Sequence, residues 1–517
     1  MINLNSKKWL LICLSSVFLS ACDPNFNSPV GDTSSYSAGD ADFSNYVAVG
    51  DSLTAGYADG ALYRLGQESS FPNILATQFK TVGGGVFNQP LMNDNLGGLL
   101  FGTAPNPSFA NRLVLDAATS PPSPGAIVGT PTNEVFSSPL IGTTFNNTGV
   151  PGAKSFHLGA PGYGSAGGLL VEPVTANPYF VRFASSATTT IITDAANQMP
   201  TFFTLWIGNN DVLSYATGGG TGTDQTGNFD PTSYGSSDIT DPNVFASTYA
   251  GLVGALTANP ATKGVLINIP DVSTIPYFTT VPHNPVPLDQ ATVDALTTAY
   301  AGYNGALQFA AGQGVITAGE AMARKIEFSA GLTNALVILD ESLTDLTSNM
   351  TIVGALGAPT AAALVNMRQA TADDLVVLPS SSKIGTLADP NNPLSAIGIA
   401  VPLGDADVLI KSEIDAVNTA RIAYNVTIKA AADANANLAF FDASAFMTEL
   451  KANGISFGTG DITATYATGG GFSLDGVHPT ARGYSVIANG IIDTINTAFN
   501  SSIPRVDPVT FTTIFLK

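Results

Sequence analysis

Cysteine is almost missing from this 517-residue chain, which has only Cys13 and Cys22. Cys13 sits inside an apolar leader, so removal of that leader would exclude any intramolecular disulfide and any cysteine-built metal site. A chain of this size buries enough surface to fold without disulfides. Histidine is nearly as scarce: His157, His283 and His478 are scattered, which speaks against a zinc site. Basic residues are few, 19 against 39 acidic, for a formal charge of −20, and no basic cluster follows Lys8. Nucleic acid, which is bound through basic patches, is therefore not an expected partner. Only 11% of residues are charged, so Thr, Ser, Asn and Gly must build most of the surface. No internal repeat recurs at a fixed period.

What is present begins with Lys7, Lys8 and the apolar run "WLLICLSSVFLSA", Trp9 to Ala21. It is too short for a permanent membrane span and reads as a signal-peptide core over residues 1–21. The run ends in "LSAC", which resembles the lipobox of bacterial lipoproteins. The resemblance implies lipidation of Cys22 and a membrane partner reached through that anchor. The expected location is a bacterial cell-envelope membrane, the outer membrane or cell surface rather than the inner membrane. A plain secretory leader with an incidental cysteine is the alternative. Residues 22–43 are Pro, Gly, Ser and Asp without periodicity, a flexible tether.

From Tyr46 onward, strand-like and helix-like segments alternate. Strands are expected at "NYVAVGDS", "TFFTLWIG" (201–208), "GVLINIPDV" (264–272) and "NLAFFDA" (437–443). Helices are expected at 71–79, 242–259, 287–314, about 406–432 and about 480–498. Such alternation predicts an α/β fold, a parallel sheet covered on both faces. Insertions near 82–145, 214–241 and 328–402 are rich in turn-forming residues, and 501–517 is a C-terminal tail. Candidate functional residues bracket almost the whole chain, so 44–500 is read as a single domain.

The run "YVAVGDSLTAGY" stops at Gly-Asp-Ser and so places the Ser52 hydroxyl at the end of a buried strand. A serine becomes a nucleophile only when a base takes its proton, and histidine is the usual base. His157 and His283 lie in loops with no carboxylate at a useful spacing. His478, in "DGVHP", follows Asp475 by three residues, close enough on a turn for the acid to orient the imidazole. "NTGVPGAKS" (147–155) offers backbone N–H groups that can approach a ligand, and "LWIGNNDVL" (205–213) puts Asn210 at a strand end. Alone, "DGVH" reads equally well as a structural turn, and each of the other segments reads better as one.

In order, "GDSL", "NTGVPGA", "GNND" and "DGVHP" resemble the four blocks of the SGNH, or GDSL-type, hydrolase family. About forty residues match closely, spread over nearly the whole mature chain. The resemblance implies a flavodoxin-like α/β/α sandwich with a central parallel sheet. It also implies ester hydrolysis of the lipase or esterase type, with no metal or cofactor. Carried over, Ser52 is nucleophile, His478 general base and Asp475 its orienting acid. Ser52 N–H, Gly152 N–H and the Asn210 amide form the oxyanion hole. Asp51 and Asp211 are expected to hold loops in shape. The expected substrate is an acyl lipid or an acylated glycan. The alternative is a catalytically silent lipoprotein that uses the same fold as a glycan- or ligand-binding scaffold. Two competing patterns lack their context: "GISFG" around Ser456 follows a helix and is expected to be a turn, and "GYGSAG" (162–167) is a flexible loop.

Overall fold

The computed structural model describes residues 35–458 and 460–517. The expected leader, Cys22 and the first part of the tether lie outside the described residues. The end of the tether is folded: Phe43 is buried and stacks on Phe79 with ring centroids 4.1 Å apart. The packed chain therefore begins ahead of residue 44.

Five runs form the central sheet: β1 (Tyr46–Gly50), β2 (Asn147–Gly149), β3 (Phe202–Trp206), β4 (Lys263–Ile267) and β5 (Leu438–Phe441). Their spatial order is 2-1-3-4-5 and every neighbouring pair is parallel, the flavodoxin-like order. Successive side chains of a strand face opposite ways. Val47, Val49, Phe203 and Leu205 enter one apolar core, while Tyr46, Ala48, Phe202 and Trp206 enter another. Burial on both faces is why these strands read as unbroken apolar runs.

The longer helices, with the short α1, are α1 (Ser52–Ala55), α2 (Phe71–Phe79), α3 (Asn210–Thr217), α4 (Pro242–Leu256), α5 (Gln290–Gly312), α6 (Lys411–Asp433), α7 (Ala443–Ala452) and α8 (Ala481–Ala498). On one face α3, α4 and α6 contribute Val212, Tyr249 and Tyr424 to the core. On the other, α2 and α8 contribute Ile74, Ile487, Ile491 and Ile495. The four-residue spacing in α8 makes one apolar stripe, and each isoleucine buried there stabilises the fold by roughly 1.5–3 kcal/mol. Thr480 caps this helix, its hydroxyl accepting from Gly483 N–H at 3.0 Å.

Two elements differ from expectation. Asn147–Gly149 reads as a turn, because Asn and Gly are poor strand formers, yet it is the edge strand β2. The ladder decides: Ala48 N–H donates to Asn146 O at 2.8 Å and Val150 N–H to Gly50 O at 3.0 Å. The second case is α5, expected among the helices covering the sheet. Its Leu296, Tyr300, Tyr303 and Leu307 instead join a separate apolar core drawn from Val281 to Ile410.

In that lobe Val337–Leu339 pairs antiparallel with Met367–Gln369. Arg324, fully buried, donates to Thr344 O at 2.9 Å and Val365 O at 3.1 Å. Arg368 bridges Asp340 and Asp374, at 2.6 Å to each. The insertion is thus wider than 328–402 and has its own core. The insertion at 82–145 meets the C-terminal tail, with Leu115 N–H donating to Phe515 O at 2.8 Å. Among the described residues no helix is long and apolar enough to cross a membrane.

Candidate active site

The carboxyl ends of β1, β2 and β3 meet where the strand order reverses, the usual place for a site in an open parallel sheet. β1 leads into Asp51 and Ser52 through Gly50. An added Cβ on Gly50 would lie 2.2 Å from both Trp206 O and Thr54 Oγ1, so nothing larger fits. The Asp51 carboxylate caps α1, accepting from Leu53 N–H at 3.0 Å, and also accepts from Asn209 Nδ2 at 2.8 Å. Burial pushes this carboxyl up to about 6 against the pull of those two hydrogen bonds. Ser52 begins the helix that follows and is 7% exposed.

His478 arrives from the loop before α8. Its Nε2 lies 2.9 Å from Ser52 Oγ, and its Nδ1 lies 2.9 Å from Asp475 Oδ2. The His478 and Asp475 side chains each keep 13% of their exposure, so the group is shielded from bulk water but not sealed. Asp475 is held from several sides. Its Oδ1 accepts from Val477 N–H at 2.9 Å, His478 N–H at 2.8 Å and the Ser473 hydroxyl at 3.0 Å, while Oδ2 also accepts from Gly60 N–H at 2.9 Å. Burial would raise this carboxyl, but the charge and hydrogen bond of His478, with the two backbone donors beside it, hold it at about 2. Asp475 is therefore a carboxylate at neutral pH and fixes the proton on Nδ1. Nε2 is left to accept from Ser52.

β2 runs into the turn at Pro151 and Gly152. Gly152 has φ +79°, a conformation that favours glycine. Neither Ser52 N–H nor Gly152 N–H donates to another group among the described residues. Asn210, the first residue of α3, donates from Nδ2 to Ala153 O at 3.0 Å, which ties it to this turn and leaves its second amide hydrogen free. Asp211 accepts from Ser155 N–H at 2.8 Å and from Ser155 Oγ at 2.7 Å, pinning the chain just beyond; burial raises its carboxyl. Each loop-holding acid thus has its loop.

The other two histidines stay apart from Ser52. His157 stacks on Tyr163 at 4.4 Å and its Nδ1 accepts from Lys154 N–H at 3.0 Å. Burial, then the Lys154 charge, push it down to about 3, so it is neutral. His283 serves the second lobe, its carbonyl accepting from Leu336 N–H at 2.9 Å. Ser456 is not in a turn: it is the exposed residue of a short strand, Ile455–Phe457, paired with Gly460–Ile462.

Sequence reasoning misses one set of supports. The Asp59 carboxylate accepts from Leu474 N–H at 3.1 Å and Tyr63 hydroxyl at 2.8 Å, and Asp59 N–H donates to Ser473 Oγ at 2.9 Å. Burial pushes this carboxyl up to about 6. The Tyr57 ring lies 4.7 Å from the His478 ring. Residues 57–60 therefore brace the loop that carries acid and base, although the partners are some four hundred positions away and "YADG" alone reads as a turn.

One further acidic group lies elsewhere among the described residues. Carboxylate oxygens of Glu341, Asp405 and Glu413 come within 4.8 Å of one another and could hold a cation. Burial and the adjacent Glu341 push Glu413 up, so a shared proton relieves the repulsion equally well. None of the three touches the Ser–His–Asp group. No protein-family model, no curated protein and no solved structure matches this chain.

Proposed function

We propose that this protein is a serine hydrolase of the SGNH type, cleaving carboxylic esters through an acyl-enzyme on Ser52. The observation that carries the reading is the unbroken line from Ser52 Oγ to His478 to Asp475, with 2.9 Å at both junctions. Ser52 Oγ attacks the acyl carbonyl as its proton passes to His478 Nε2. Asp475 stabilises the imidazolium that forms. The negative oxygen is received by Ser52 N–H, Gly152 N–H and the free amide hydrogen of Asn210. His478 returns the proton to the leaving alcohol. Water then repeats the sequence on the acyl-enzyme and releases the acid. A lipid on Cys22 would hold this chemistry at the surface of a bacterial envelope membrane, near acyl lipids and acylated glycans.

The test is hydrolysis of p-nitrophenyl esters, from acetate to palmitate, by the wild type and Ser52→Ala. The reading expects hydrolysis of at least one ester, abolished in the variant. A folded wild type that cleaves none of them would favour the scaffold alternative instead.

A further inference from the structure

Beside the Ser–His pair lies a cavity that the mechanism above does not use. Its lining includes Leu53, which follows the nucleophile, Val477 and Pro479, which flank the base, and Phe446, Met447 and Leu450 of α7. No charged side chain lines it, and its one polar side-chain group, Trp206 Nε1, is already satisfied by donating to Asn268 O at 3.1 Å. Water has few partners in such a space. Walls of this kind suit a flexible apolar ligand. Leu53, Val477 and Pro479 are direct chain neighbours of Ser52 and His478, which puts an occupant next to the group under attack.

We infer that this cavity receives the acyl chain of the substrate, the carbonyl resting at Ser52 and the methyl end reaching α7. The chemistry of the occupant rests on the ester-hydrolase reading; its size rests on the cavity alone. The volume is about 60 Å³. On the same measure a water-sized group needs about 10–15 Å³, so roughly four to six methylene-sized groups fit beyond the carbonyl and its neighbouring carbon. That sets the substrate as an ester of a medium-chain acid, about six to eight carbons long. Acetyl leaves the cavity empty and palmitoyl overruns it.

Two measurements test the inference separately from the hydrolase reading. Trp206 lines the cavity, and the chain has only one other tryptophan, Trp9. In the full chain carrying Trp9→Phe, 8-bromooctanoic acid should quench Trp206 fluorescence saturably, octanoate should reverse it, and 3-bromopropionic acid should fail to quench. In parallel, kcat/KM for p-nitrophenyl esters should peak at six to eight carbons. Met447→Ala should move the peak to longer chains. Ala443→Leu, also at the cavity wall, should move it to shorter ones, changing the octanoate-to-butyrate ratio by about tenfold, as expected for displaced methylene contacts. Saturable quenching without hydrolysis of any ester would keep the cavity as a fatty-acyl site and discard the hydrolase reading. Hydrolysis that falls steadily from acetate onward, with no saturable quenching, would keep the hydrolase reading and overturn the inference.

Discussion

The parallel sheet and the lobe between Val281 and Ile410 both have buried apolar cores, yet it is the sheet that brings Ser52, His478 and Asp475 together at one edge. In the sheet, strands that point the same way deliver three loops to one end, and the 2-1-3 reversal leaves a crevice between them. The lobe has short antiparallel pairs, and its arginines serve its own framework: Arg368 pairs with Asp340 and Asp374, and Arg324 with Glu320 and backbone carbonyls. The difference teaches that direction of strands, rather than depth of burial, decides where reactive side chains can meet.

Substitutions in the two regions should therefore separate activity from stability. Ser52→Ala and His478→Ala should each lower kcat by at least about a thousandfold with little change in melting temperature, since on the proposed reading Ser52, His478 and Asp475 act as a unit. In the lobe, Ile338→Ala should do the reverse. It should cost about 2–5 kcal/mol in denaturant unfolding, as for a buried aliphatic side chain, and leave kcat within about twofold of wild type. A lobe variant that lost activity in proportion to the triad variants would erase the distinction.

Asn210→Ala should cost about a hundredfold in kcat, the worth of one oxyanion donor; a loss below threefold would remove Asn210 from that role. Asp59→Ala should slow kcat by about tenfold, roughly the worth of one lost positioning hydrogen bond. Asp59→Asn, which can still accept from Leu474 N–H, should recover most of that rate with KM unchanged. Equal losses in the two variants would assign Asp59 to folding alone.

The smallest effect concerns pH. His157 is held near 3 in the folded protein, against about 6.5 in an unfolded chain. Below about 6.5 the unfolded chain takes up a proton that the folded one refuses, so this residue lowers stability as pH falls toward 3. Between pH 7.5 and 5 the wild type should lose more of its melting temperature than His157→Phe does. A gap that stays constant would show that His157 does not titrate on unfolding.

The legible part of the sequence was local. "YVAVG", "TFFTLW" and "LAFF" announce buried strands because their apolar runs face two cores. Ser52 and Asn210 stand out because each follows such a strand, and His478 because it precedes helix α8, all in blocks of turn residues. What stayed hidden depends on partners far along the chain. Asn147–Gly149 becomes a strand only beside β1. Helical spacing in α5 shows that one face is buried but not which core buries it. Asp59 matters through Ser473 and Leu474, and no local pattern encodes a partner 414 positions away.

The central claim is that Ser52 is a nucleophile activated by His478. The most direct measurement is intact-mass and peptide mapping of the full chain after exposure to a fluorophosphonate, which bonds covalently to an activated serine. The account predicts one adduct per chain, on Ser52, absent in Ser52→Ala and greatly slowed in His478→Ala. A folded chain that stays unlabelled, or carries its adduct on another serine, would contradict it.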